Sequence, residues 1–188
     1  MRSTITCRKK SSLLMLVTLS ALMSKSAPAV TLNFSAVLNP GTCTFSLDKS
    51  TLTLDSINLS QLTSSTLRVA QPFTLMVKDC SGTDAVLAPV VDISGDGLTQ
   101  DGKWLFRSSD STASGMGIML VKTDVTPSYG DIEVKNGDNI PLAAAGVNPP
   151  DQNIKFYAGI TCGSLACASG PLSPGTLTAR VLFNLAYR

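Results

Sequence analysis

Histidine is absent from the 188-residue chain. No Ser-His-Asp triad and no Cys-His dyad can therefore form, and a zinc centre would have to do without its commonest nitrogen ligand. Charged residues make up only 15% of the chain and aromatics 5%, with Trp104 the single tryptophan. Nucleic-acid binding calls for a basic stripe, which nothing here supplies. Long apolar runs are missing too. The longest, Leu13 to Met23, is 11 positions, short of the roughly 20 that span a bilayer.

That run sits in a recognisable order. Arg2, Arg8, Lys9 and Lys10 precede it, and the small residues Ala27-Pro28-Ala29 follow. Basic, apolar and A-x-A segments in succession read as a secretory signal peptide over residues 1–29, cleaved before Val30. Five of the fifteen basic residues and none of the thirteen acidic ones precede Val30, so the net charge of +2 becomes −3 after cleavage. The remaining 159 residues make about one domain.

Cysteine usage agrees with export. Cys7 leaves with the signal, and Cys43, Cys80, Cys162 and Cys167 remain, an even set in an oxidising compartment. Three pairings are possible. Proximity favours Cys162–Cys167, close enough to clip one bend, which leaves Cys43–Cys80. Metal binding is the weaker reading, because the pairs lack zinc-ribbon spacing. Asp92, Asp96 and Asp101 lie in a Gly-rich stretch, but their spacing misses the calcium-loop pattern and reads as a solvated loop. Trp104 reads as core rather than a sugar-stacking platform, since Leu105 and Phe106 follow it.

The remaining pattern is β almost throughout. Thr51 to Leu54 alternates, Phe73 to Val77 runs toward Cys80, and Val86 to Ile93 is interrupted at Pro89, which predicts an edge or a bend. Gly95-Asp96-Gly97 and Asp101-Gly102 signal turns before Trp104 to Phe106. Gly117 to Lys122 is a strand. Ile132 to Lys135 and Ile140 to Leu142 flank Asn136-Gly137-Asp138-Asn139, which predicts a hairpin. Ile154 to Ile160 and Thr176 to Tyr187 complete the set. At most a turn of helix is expected in Ser60 to Ala70 and in Ala143 to Ala145. Short strands separated by turn residues predict an all-β antiparallel sandwich.

Both ends of the mature chain carry a one-sided apolar alternation. Val30, Leu32, Phe34, Ala36 and Leu38 share one face of the first segment, and Leu177, Ala179, Val181, Phe183, Leu185 and Tyr187 one face of the last.

With these features the chain resembles the subunits of bacterial chaperone–usher (type 1-like) fimbriae. The resemblance rests on the signal peptide, the alternating stretch ending in Pro40-Gly41-Thr42-Cys43, the second cysteine at Cys80, Gly115-x-Gly117-Ile118, and the end from Gly175 to Arg188. Gly175 stands fourteenth from the end and Tyr187 last but one, as is common in that family. The likeness covers residues 30–188 and implies an incomplete immunoglobulin-like antiparallel β-sandwich, residues 43–188, preceded by a donor-strand extension, residues 30–42. Val30, Leu32, Phe34, Ala36 and Leu38 would be the donor side chains. Gly175, Leu177, Ala179, Val181, Phe183, Leu185 and Tyr187 would line the acceptor groove and bind the chaperone.

The implied partners are a periplasmic chaperone, an outer-membrane usher and neighbouring pilin subunits, with no cofactor, no enzymatic activity, no nucleic acid and no small-molecule substrate. The implied site of action is a fimbria on the cell surface, supporting adhesion. Two departures from the family are visible: Ala36 stands where Gly is usual, and many members lack the Cys162–Cys167 pair. The competing reading is a free-standing secreted sandwich, such as a sugar-binding adhesin domain.

Overall fold

The computed structural model describes residues 39–165, 167 and 170–188. The expected signal peptide, and the donor side chains Val30, Leu32, Phe34, Ala36 and Leu38, lie outside the described residues. Ten strands follow in chain order: β1 (Thr42–Leu47), β2 (Arg68–Ser81), β3 (Pro89–Ser94), β4 (Gly97–Gln100), β5 (Lys103–Phe106), β6 (Gly117–Lys122), β7 (Glu133–Val134), β8 (Asn139–Pro141), β9 (Gln152–Thr161) and β10 (Leu182–Tyr187). One 3₁₀ turn covers Leu59–Gln61. Every pairing is antiparallel.

The strands build two sheets, the all-β sandwich that the alternation predicts. The larger runs β1-β2-β9-β6-β5-β4, with β7 attached to β6. The smaller runs β10-β3-β8, so β10 is an edge strand of that sheet. Between them lies a core to which both sheets contribute. Phe73, Leu75 and Val77 alternate along β2, Ile154, Phe156 and Ala158 along β9, and Val91 and Ile93 come from β3. The period of two follows from the pleat, which sends successive side chains to opposite faces. Phe73, Phe156 and Phe183 join the sheets: Phe73 stacks on Phe156 at 5.3 Å, and Phe183 of β10 lies 5.5 Å from Phe156 and 6.2 Å from Phe73. Trp104 packs edge-on against Phe106 at 6.1 Å, against the core. The outer face of the large sheet carries a smaller cluster of Leu105, Met119 and Val121, with Leu67 and Tyr129 against it.

Both disulfides, Cys43–Cys80 and Cys162–Cys167, are present. The first ties the start of β1 to the end of β2. The second sits in a separate cluster with Leu62, Ala113 and Met116.

Four of the differences from the sequence reading concern strand pairing and strand bounds. Residues 132–142 are not a hairpin: β7 pairs with β6 and β8 with β3. Gly137 N–H donates to Ile93 O (2.7 Å) and Ile93 N–H to Asp138 O (3.0 Å), so the turn itself is joined to the small sheet. Val134 and Ile140 thereby enter one core from opposite sides. Alternation alone does not tell whether two arms pair with each other or with different neighbours. Second, β3 starts at Pro89 and runs between β10 and β8, so it is no edge. Proline is accommodated because it is the first residue of the strand, and Val86 and Leu87 before it are exposed. Third, the stretch between the two turn signals is β4, closed onto β5 by Asp101-Gly102 with φ of 52° and 80°. A positive φ at both central residues matches the right-handed twist of a two-residue hairpin. Fourth, the ladder of the last strand begins at Leu182 rather than Thr176.

Of the three acids in the Gly-rich stretch, Asp92 pairs with Arg188 (2.8 Å), and Asp101 accepts from the N–H groups of Ser164 and Leu165 (both 2.7 Å).

Among the described residues one charged group is enclosed. Glu133 is 5% exposed, with Lys103 at 2.9 Å, Lys135 at 3.4 Å and the Trp104 N–H at 3.3 Å. Burial pushes its carboxyl up, but the Lys103 ammonium and the backbone donors of residues 133 and 104 outweigh it and hold it below its ordinary value of 4.5. A depressed carboxyl stabilises the fold above that value and stops doing so as the pH falls through it. The unfolding midpoint should therefore hold steady from pH 7 to about 5 and drop as the pH falls below about 4.5, through the lower value that the folded state sets. Glu133→Gln should cost about 1–3 kcal/mol at pH 7 and flatten that drop, as read by thermal melts across pH. A second expectation concerns the 37-residue separation that Cys43–Cys80 spans. Replacing both cysteines by Ser should cost about 2–5 kcal/mol in denaturant unfolding, more than the same change at Cys162–Cys167 with its separation of 5.

Candidate functional site

Beside the C-terminal strand the two sheets part to leave a groove of about 1010 Å³. One wall is the segment from Lys49 to Leu59, which follows β1. The other is the segment from Pro174 to Val181, which leads into β10. Phe73, Phe106, Met116, Ile118, Leu120, Ala158 and Ile160 form the floor.

Each wall has the side-chain pattern of a strand but lacks a ladder on the groove side. Along the first, Leu52 and Leu54 are half-buried while Thr51, Thr53 and Asp55 are exposed. Among the described residues, the main-chain hydrogen bonds of this region stop at Asp48 N–H to Thr74 O (3.1 Å) and resume at Gln61 N–H to Asn58 O (2.9 Å).

On the second wall the even-numbered residues are tied down on one side. Thr176 O accepts from Thr112 N–H (2.9 Å) and Ala113 N–H (3.1 Å), and Thr178 O accepts from Ser108 N–H (2.8 Å). Ser111 Oγ both donates to Thr178 O (2.9 Å) and accepts from Thr178 N–H (3.0 Å). Arg107 braces the loop behind them through the carbonyls of Ser111 and Ala113. Backbone groups alternate sides along an extended chain, so Leu177, Ala179 and Val181 direct theirs to the groove. Among the described residues those groups have no hydrogen-bond partner.

Gly175 has a steric reason. A Cβ there would lie 2.5 Å from Ala113 N and 2.6 Å from Thr112 Oγ1, so only glycine lets the wall press onto that loop. Arg180 reaches Asp110 by two bonds of 3.1 and 2.7 Å, and this holds the Asp110 carboxyl below its usual range. The pair is exposed and adds little stability.

Of the seven residues expected to line the groove, Gly175, Leu177, Ala179, Val181 and Phe183 do so. Leu185 and Tyr187 do not border it. Leu185 packs against the main core. Tyr187 OH donates to Gly82 O (3.3 Å) and abuts Gly41, which ties the chain's end to the start of β1. The opposite wall and the floor escaped the sequence reading. Alternation at Thr51 to Leu54 was the available signal, and it was taken as an ordinary strand.

The sequence model of the family described as "Fimbrial protein" matches residues 32–188. No match is found among curated proteins. Among solved structures, a chaperone–usher pilus subunit aligns at 14% identity over 88% of this chain and 98% of its own, with a TM-score of 0.49. The P pilus rod subunit PapA aligns at 16% identity over 85% and 100%, with a TM-score of 0.46. The CupB6 tip adhesin from Pseudomonas aeruginosa aligns at 15% over 77% and 41%, with a TM-score of 0.43. With a family match over most of its length, and the antiparallel sandwich in place, the chain belongs to the fimbrial protein family and is a fimbrial pilin.

Proposed function

We propose that the chain is a structural subunit of a bacterial surface fimbria that polymerises by donor-strand exchange and supports cell adhesion. The observation that carries this reading is the groove, a slot with an apolar floor whose two walls alternate half-buried apolar side chains with polar ones and lack ladder partners on the groove side among the described residues. An added strand satisfies both deficits at once. Its backbone pairs with a wall, and its alternate side chains enter the slot. Left open, such a slot invites aggregation.

The order of events follows from that liability. The chain is exported with residues 1–29 as a cleaved signal, and a periplasmic chaperone first covers the groove, contacting the strand from Leu177 to Tyr187. The extension of a neighbouring pilin replaces the chaperone at the outer-membrane usher. This chain's own extension, residues 30–42, in turn serves another subunit, with Val30, Leu32, Phe34, Ala36 and Leu38 as the inserted side chains and residues 43–188 as the pilin domain. Each large apolar side chain removed from water contributes about 1.5–3 kcal/mol before the entropy of ordering the extension is subtracted. That is enough for slow dissociation without any covalent link. No part of this scheme requires a cofactor or a reaction.

Grafting residues 30–38 through a short flexible linker after Arg188, with the native 30–38 deleted, should produce a stable monomer with a melting temperature raised by 10 °C or more, roughly the effect of a few kcal/mol on a domain of this size. Size-exclusion chromatography and a thermal melt read both; an unchanged melting temperature would count against an open acceptor groove. Ala179→Arg places a charge in the slot. It should leave the cysteine-bridged fold intact by circular dichroism while abolishing binding of a synthetic 30–38 peptide, and undiminished peptide binding would sink the assignment of this wall.

A further inference from the structure

Resting on the reading above, an apolar patch at one pole of the sandwich acquires a partner. Two loops meet there. In residues 84–88, Asp84 Oδ1 accepts the N–H groups of Val86 and Leu87 (both 2.8 Å), which turns those side chains outward. In residues 142–148, Gly146 N–H donates to Asp84 O (2.6 Å) and so joins the second loop to the first. Val86 is 81% exposed, Leu87 39% and Val147 51%, with Ala85, Ala144 and Ala145 exposed around them. Two of the charges at this pole are engaged: Asp84 caps the loop, and Arg188 is paired with Asp92 at 2.8 Å. Exposed apolar side chains gathered on two hydrogen-bonded loops are surface of a kind that marks contact sites.

The same pole is where the donor extension joins the domain. Pro40 and Gly41 pack on Gly82, Gly41 abuts Tyr187, and Arg188 exchanges two main-chain bonds with Ala88 (2.8 and 3.0 Å), next to Leu87. On the other side, Asn148 Nδ2 donates to Cys80 O (2.8 Å), whose side chain is bridged to Cys43. The patch thus borders the departure point through both of its loops. Only residues 39–41 separate Leu38 from Thr42, a reach of at most about 14 Å. Whatever domain holds residues 30–38 in its groove must then stand against this pole.

We propose that Val86, Leu87 and Val147 form a seat for the next copy of this chain in the polymer, the copy whose groove holds residues 30–38. The seat adds an apolar contact to the strand exchange and limits swivelling at Asn39 to Gly41.

The test uses the full exported chain and its V86D/V147D variant. Labelled synthetic peptide of residues 30–38 measures the groove alone, and urea-induced dissociation of assembled polymers measures groove and seat together. The expected result is equal peptide binding by both proteins, with polymers of the variant dissociating roughly tenfold faster, since interface substitutions act chiefly on the off-rate. Equal dissociation of the two polymers overturns the seat while leaving strand exchange standing. Should the aspartates also weaken peptide binding, V86S/V147S takes their place, and equal dissociation of its polymers overturns the seat in the same way. If the wild-type chain neither binds the peptide nor polymerises, strand exchange itself fails, and the seat fails with it.

Discussion

Among the described residues the edge strand of the small sheet, β10, has a ladder neighbour on one side only, yet its inward side chains belong to the core. Most of the molecule's peculiarities follow from that mismatch. Phe183 locks the strand to Phe73 and Phe156, so it cannot fray away as a terminal segment otherwise would. Upstream, Thr176 and Thr178 are held from behind by the loop from Ser108 to Ala113. The strand is therefore fixed in position with one edge unshared. What results is a fixed edge, without a ladder partner among the described residues, above an apolar floor.

The surrounding features serve to keep this slot in shape. Cys43–Cys80 anchors the wall that leaves β1, and Tyr187 anchors the last strand to the same place through Gly82. At the other end Cys162–Cys167 belongs to the cluster of Leu62, Ala113 and Met116, with Leu177 packed against it. Gly175 and the Arg107 braces hold the intervening loop against the wall. Rigidity here has a plain energetic use. A slot that is already formed does not have to be ordered when a strand arrives, so less of the interaction is lost to entropy.

Extension, pole and groove are built from different parts of the chain. The extension begins beside the C-terminus and the apolar patch of Val86, Leu87 and Val147, while the groove opens between the walls. Under the proposed strand exchange, the giving and receiving parts of one chain would be separate segments, the arrangement a heterologous, head-to-tail chain of subunits needs.

Residue order by itself determined the strands with a one-sided core, the paired cysteines, the exclusion of histidine chemistry and the apolar face from Leu177 to Tyr187, because alternation and composition are local properties. The Asp101-Gly102 turn was legible for the same reason. Tertiary structure alone decided which strands pair. The arms around Asn136 to Asn139 went to different sheets, and Thr51 to Leu54 became a groove wall rather than a laddered strand. It also divided the last strand into a wall up to Phe183 and an anchored end at Leu185 and Tyr187. A period of two states which side chains face inward, but not what stands opposite them; that depends on contacts between residues far apart in sequence.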